Sequence, residues 1–191
     1  MRWLDAFLSQ RRKPLFFVNL VARGGPLKIS GSCSLPPIRI IARIDIKGPD
    51  VIKSIHLDGH RKVGNPGEMV KKYYAEGADE ILYMDVVASL FGRSNIFSLV
   101  AEAAKENFIP FTVGGGIRTL DDIVMALRSG ADKVAINTAA LDRPEFLKEA
   151  AEAFGRQCIV LSVEAKHVNG NYWEALTDNG REHTHVDVLE W

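Results

Sequence analysis

Short apolar runs alternate with helical patterns along most of this chain, and that alternation predicts the architecture. Ile38-Arg39-Ile40-Ile41-Ala42-Arg43-Ile44-Asp45-Ile46 is rich in β-branched residues and predicts a first strand. Lys47-Gly48-Pro49-Asp50 breaks it, and Val51 to Ile55 reads as a short extended piece inside a long loop. Pro66 opens a helix carrying Met69, Val70, Tyr73 and Tyr74 on one side, and Gly77 closes it. Glu80 to Asp85 predicts a second strand, and a helix follows from about Asn95 to Glu106. Ile109 to Val113 predicts the third strand, Lys133 to Asn137 the fourth, and Cys158 to Glu164 the fifth. Between the third and fourth lies a helix through Ile123 and Leu127; between the fourth and fifth lies one from Pro144 to Phe154. Val168-Asn169-Gly170-Asn171-Tyr172 carries the Asn-Gly signature of a hairpin turn, and a last helix is expected to start near Val186.

Strands that are almost continuously apolar and alternate with helices form a parallel sheet covered on both faces. Gly77-Ala78-Asp79-Glu80-Ile81-Leu82-Tyr83-Met84-Asp85 is echoed by Gly130-Ala131-Asp132-Lys133-Val134-Ala135-Ile136-Asn137, each running from a helix end into a strand with a polar last residue. Such repetition points to an α/β fold of the (β/α)8 TIM-barrel type, here an incomplete barrel of about five βα units. The outer edges of its first and fifth strands are expected to be bare and sticky.

Phe111-Thr112-Val113-Gly114-Gly115-Gly116-Ile117-Arg118-Thr119-Leu120-Asp121-Asp122 is the most informative stretch. A strand that ends in glycine and restarts as a helix leaves backbone N–H groups directed outward. With no Cβ in the way and a helix dipole behind, such a turn suits a phosphate. The plain alternative is a tight turn that binds nothing. Three consecutive glycines favour the anion, and Gly115 and Gly116 are expected to serve the ligand more than the turn.

Charge changes the picture at one end only. The 191 residues carry no net charge, so neither nucleic acid nor an acidic surface is indicated as a partner. Six of the 24 Lys and Arg residues and one of the 24 acids fall in residues 1–36, which end in Gly- and Ser-rich sequence. That segment is expected to be a disordered basic extension, leaving 37–191 as a partial barrel domain. Cys33 and Cys158 form no disulfide framework, and no apolar run is long enough for a membrane span, so a reducing, cytoplasmic setting is expected. His56, His60, His167, His183 and His185 lack metal-ligand company; His183-x-His185 reads as solvated, and no metal is expected.

The remaining polar groups gather at strand C-terminal ends. Asp45 lies near the end of the first strand, with Lys53 in the loop beyond. Asp85 ends the second, Gly114 to Gly116 follow the third, Asn137 and Thr138 end the fourth, and Glu164 and Lys166 the fifth. In a βα barrel those ends share the face that carries chemistry. Asp45 and Glu164 can oppose each other there as a general acid–base pair. A single aspartate in such a place is more simply a strand cap; several such positions on one face are not.

These residues resemble a known family, the cyclase subunit (HisF) of imidazole glycerol-phosphate synthase. Arg39-Ile40-Ile41-Ala42, Gly77-Ala78-Asp79-Glu80, Phe111 to Ile117 and Gly130 to Ala140 carry the likeness, which runs from Arg39 to about Trp191. The resemblance implies a (β/α)8 barrel whose members extend three strands further. It implies a lyase of histidine biosynthesis that takes ammonia from a glutaminase partner and closes an imidazole ring on a bisphosphorylated substrate, without a cofactor. Asp45 then matches a catalytic aspartate, and Lys53 a mobile-loop lysine. Gly114, Gly115, Gly116, Asn137 and Thr138 match a phosphate site, while Arg39, Glu80 and Lys133 match a charged gate for ammonia. Asp85 joins the substrate-binding set from its place at the strand end. Glu164 departs from the family by standing where it has a second aspartate, Arg43 departs from a small or neutral residue, and Val87 from a threonine. Two other readings remain: an ammonia-channelling paralogue in surface-polysaccharide sugar amidation, and a non-catalytic half-barrel that binds a glutaminase.

Overall fold

The computed structural model describes residues 17–20, 39–55, 58–88 and 96–191. In chain order these form β1 (Phe17–Leu20), β2 (Ile41–Lys47), β3 (Asp50–Ile55), β4 (Asp58–Gly64), α1 (Pro66–Ala75), β5 (Glu80–Asp85), α2 (Ile96–Ala104) and β6 (Phe111–Gly114). They continue with α3 (Leu120–Arg128), β7 (Lys133–Ile136), α4 (Thr138–Asp142), α5 (Glu145–Phe154), β8 (Ile159–Asn169), β9 (Tyr172–Thr177) and β10 (Glu182–Asp187). All strands belong to one sheet in the order β10-β9-β8-β7-β6-β5-β2-β3-β4, with β1 also on β8. The five predicted strands are β2, β5, β6, β7 and β8, and they run parallel.

Period-two alternation decides what each face holds. Ile44, Ile46, Ile81, Tyr83, Phe111, Val113, Val134 and Ile136 turn toward the helices and form the larger core with Val70, Val100, Ile123 and Phe146. Tyr83 meets Phe111 edge-to-face at 4.7 Å. The alternate positions Leu82, Met84, Ala135 and Val160 form a smaller cluster with Ile52 and Val86 on the inner face. Arg43, Asp45, Glu80, Thr112, Lys133, Asn137 and Glu164 fall on the same inner set by register.

Three expectations change. Val51 to Ile55 is more than a loop piece: β3 and β4 form an antiparallel hairpin beside β2. The predicted bare edges are partly covered, because β3 pairs with the end of β2, β1 with Leu161–Glu164 of β8, and β9 with β8 from Glu164 onward. The segment 1–36 lies outside the described residues except for those four strand residues. The helix expected near Val186 is instead strand β10 through Asp187. Only after it does one turn form, where Asp187 Oδ1 accepts the Leu189 and Glu190 N–H groups. Thr184 and the alternating histidines pair with β9 better than they fill a helix face.

The glycine turn passes into α3 through a capping box. Thr119 Oγ1 accepts the Asp122 N–H, and Asp122 Oδ2 accepts the Thr119 N–H at 2.9 Å. Thr119→Ala should cost about 1 kcal/mol. Chemical denaturation should show a lower midpoint with an unchanged m-value; an unchanged midpoint would remove the cap from the stability of this unit.

Candidate active site

Two polar assemblies occupy opposite ends of the inner face. At the strand N-terminal end, Glu80 is buried and receives three partners from different parts of the sheet. Arg39 Nη2 donates to Oε2 at 2.6 Å, Lys133 Nζ to both oxygens at 2.8 Å, and Thr112 Oγ1 to Oε1 at 2.6 Å. The three residues singled out as a gate are thus one cluster around a single carboxylate. Thr112 belongs to it and was missed, although its place on β6 opposite Lys133 follows from strand register.

At the C-terminal end, the glycine turn sets the floor. Gly115 and Gly116 both have positive φ, 94° and 73°. A Cβ on Gly115 would lie 2.1 Å from the Asp85 carbonyl oxygen, and one on Gly116 would lie 2.7 Å from the Ala88 Cβ. Here the expectation is corrected: the turn itself requires both glycines, because β5 and the segment after it press against the backbone. Gly114 is also confined, between Met84 and Ala135.

Around this turn lies a pocket lined by Asp85, Gly115, Gly116, Asn137, Thr138 and Glu164, together with Arg118, Ser162 and Asn179. Six expected site residues are therefore neighbours. Asp85 spends Oδ1 on the Val87 and Ala88 N–H groups, both at 3.0 Å, so it also caps the turn after β5. Burial raises its pKa and those two N–H groups oppose the rise. Asn137 Nδ2 donates to the Leu176 carbonyl at 3.1 Å, and Thr138 Oγ1 accepts the Asp178 N–H at 3.3 Å. Both tie the segment after β7 to the β9–β10 hairpin. Lys53 is exposed on β3 opposite Arg61 and stands outside the pocket lining.

Asp45 accepts a 2.7 Å hydrogen bond from Arg43 Nε, two residues back on the same face of β2. Glu164 is buried on β8, and its Oε2 is without a hydrogen-bond partner. Burial pushes its carboxyl up to about 7. The Arg43 guanidinium and the Gly180 N–H pull the other way, and the Asp45 and Asp178 carboxylates add to the rise. The two acids therefore sense each other across the mouth, with Arg43 between them electrostatically. Such a carboxyl is poised to give or take a proton near neutral pH.

His183 and His185 are exposed to solvent, as expected, and also share a partner. β10 lies along β9, so both imidazoles reach the buried Glu174: His183 Nδ1 at 2.8 Å and His185 Nδ1 at 3.1 Å, with the His185 N–H at 3.0 Å. The His183 hydrogen bond is the main reason that Glu174 is held below the usual carboxylate range.

Residues 39–191 match the model of a family described as "Histidine biosynthesis protein". The chain belongs to this family. It is similar to proteins named imidazole glycerol phosphate synthase subunit HisF from Legionella pneumophila, at 58% identity over 154 residues, and from Streptomyces avermitilis, at 46%. A third, from Mycobacteroides abscessus, is 45% identical. The matches cover 81%, 81% and 80% of this chain and 73%, 61% and 62% of those relatives. The chain thus spans less than two thirds of the length of two of the three. The family resemblance and the TIM-barrel class read from the sequence are borne out, and the parallel-rich sheet is that of a partial barrel. Among the described residues, no helix is long and apolar enough to cross a membrane.

Two outcomes test this geometry. Gly115→Ala should lower the melting temperature by several degrees without any ligand, since positive φ and the Asp85 carbonyl both oppose a methyl; an unchanged melt would show that the turn can yield. Glu164→Gln should abolish a pH dependence. The folded carboxyl keeps its proton to about pH 7, whereas the unfolded one loses it near 4.5. The native state therefore binds more protons in that window, and stability falls as pH rises through it, by roughly 3 kcal/mol in total. The variant should lack this decline, so its advantage should grow from pH 4.5 to pH 7 and then level off. Parallel pH curves for the two proteins would refute the assignment.

Proposed function

We propose that this barrel performs the cyclase reaction of imidazole glycerol-phosphate synthase, in partnership with a glutaminase. The observation that carries the reading is the arrangement of two polar assemblies on one inner face. Asp45 stands near the C-terminal end of β2 and Glu164 midway along β8, beyond the end of its neighbour β7, while the Arg39–Glu80–Lys133 cluster stands at the strand N-terminal end. One end suits proton transfer on a substrate; the other suits controlled entry of a small polar molecule.

In this reading ammonia released by the glutaminase enters past the Glu80 cluster and travels along the inner face toward the mouth. The apolar lining from Leu82, Met84, Ala135 and Val160 favours the neutral molecule over ammonium. The turn at Gly114, Gly115 and Gly116, with Asn137 and Thr138, holds one phosphate of a bisphosphorylated substrate. Asp45 is the main acid–base residue. Glu164, which shares its proton with solvent near neutral pH, is the second. Ring closure yields imidazole glycerol phosphate and an aminoimidazole carboxamide ribonucleotide. The glutaminase would dock at the strand N-terminal end, where Ile40, next to Arg39, is 62% exposed and Phe108, in the segment before β6, is 81% exposed.

Arg43 favours a second reading. Its 2.7 Å bond engages Asp45, and together with the longer acid at Glu164 it alters the mouth relative to the family pattern. Such a mouth suits transfer of ammonia to a different acceptor, as in sugar amidation.

Asp45→Asn tests the acid–base assignment, and the parent protein's own activity separates the readings. Assayed with ammonium salts in place of glutaminase, the substitution should lower cyclase turnover at least ~100-fold, the usual scale of acid–base catalysis. Turnover within a few-fold of the parent would take Asp45 out of the mechanism. A parent protein that fails to close the ring but still stimulates a glutaminase would favour the other acceptor or a purely binding role.

A further inference from the structure

The turn between β9 and β10 reaches into the mouth, and nothing so far gives it a task. Asp178, Asn179 and Gly180 occupy three successive positions of positive φ, at 50°, 59° and 75°. Such a run is costly for the two residues that are not glycine. The turn is held by the Asp178 N–H, which donates to Thr138 Oγ1 on one side, and the Gly180 N–H acts on the Glu164 carboxyl on the other, favouring its ionised form. Asn179 between them is 7% exposed and lines the pocket. Its Nδ2 is buried without a hydrogen-bond partner, as is Glu164 Oε2 in the same pocket. An unmet donor and an unmet acceptor are each expensive to bury. Together they are the complement of a hydroxyl group, which accepts from one and donates to the other. The pocket they share has about 40 Å³ of free space, enough for such a group while the rest of a ligand lies in the open mouth.

We propose that Asn179 is a specificity-determining residue that reads a sugar hydroxyl of a phosphorylated substrate, with Glu164 as its acceptor partner and the glycine turn holding the phosphate. This rests on the reading of the mouth as a phosphosugar site. A plain phosphate would satisfy the donor but offers no hydrogen to the Glu164 oxygen once that carboxyl has ionised above about pH 7. A polyol satisfies both.

Titration calorimetry on the full chain, with D-ribose 5-phosphate and with inorganic phosphate, tests it without needing turnover. Two variants are used. Asn179→Asp keeps the shape but removes the donor, and Asn179→Gly removes the side chain while suiting the positive φ. Both should weaken ribose 5-phosphate about ten-fold, the scale of one lost hydrogen bond. Asn179→Gly should leave inorganic phosphate within two-fold and the melting temperature within a few degrees. Equal ribose 5-phosphate affinity in the parent and Asn179→Gly would overturn the proposal. So would a parent that binds the sugar phosphate no better than inorganic phosphate, which would leave only a water in that space. Cyclase turnover is measured in parallel, so the two ideas fail separately. A parent that shows Asn179-dependent sugar binding without turnover keeps this inference and loses the reaction. A parent with turnover whose KM is unmoved in Asn179→Gly does the reverse.

Discussion

The carboxylate of Glu80 is the interaction on which the inner face depends. It is almost fully buried and would be very costly alone. Arg39 before β2, Thr112 on β6 and Lys133 on β7 all converge on it. One side chain on β5 thereby links its neighbours on both sides and fixes their relative register at the closed end. Two cations around one acid also leave a positive surplus there, partly open to solvent through Arg39. Removing any partner would leave a buried charge undercompensated, so the cluster is a structural necessity whatever passes by it.

From that end the inner face turns apolar and then polar again. Leu82, Met84, Ala135 and Val160 separate the Glu80 cluster from the mouth. This low-dielectric layer helps explain the elevated Glu164 carboxyl: it is buried on β8, it shares the mouth with Asp45, and its compensation comes from Arg43 and one backbone N–H. Arg43 therefore faces two tasks that pull against each other. Its bond to Asp45 orders one acid, and its field lowers the other. A neutral residue at that position would leave both acids less restrained.

Backbone packing sets the other wall of the mouth. The glycine turn has to pass within van der Waals contact of the Asp85 backbone, and Asp85 in turn caps the segment that follows β5. The close packing of the turn against the sheet therefore demands glycine by itself. Across the mouth, the β9–β10 hairpin is pinned at its base by Glu174 with His183 and His185, and at its tip by Thr138 and Glu164. Held at both ends, it can present a side chain in a conformation that would otherwise be unfavourable.

Much of this was legible in the chain itself. Periodicity alone determined the five parallel strands and the helices between them, because strands buried on both faces must be apolar throughout while surface helices need be so on one side. The Asn169-Gly170 hairpin followed from backbone preference, and the glycine turn from its three consecutive glycines between a strand and a helix. The family was readable from contiguous motifs. What only tertiary structure decided depends on contacts between distant residues. Thr112 joins Glu80 because strand register brings together positions 32 residues apart. Val186 lies in a strand because β9 offers a partner, a choice that overrides local helical preference. The glycines are demanded by the neighbouring backbone of Asp85 and by Ala88, which no local pattern reveals. The protonation of Glu164 is set by burial and by charges from β2 and the β9–β10 turn, and these exist only once the sheet has formed.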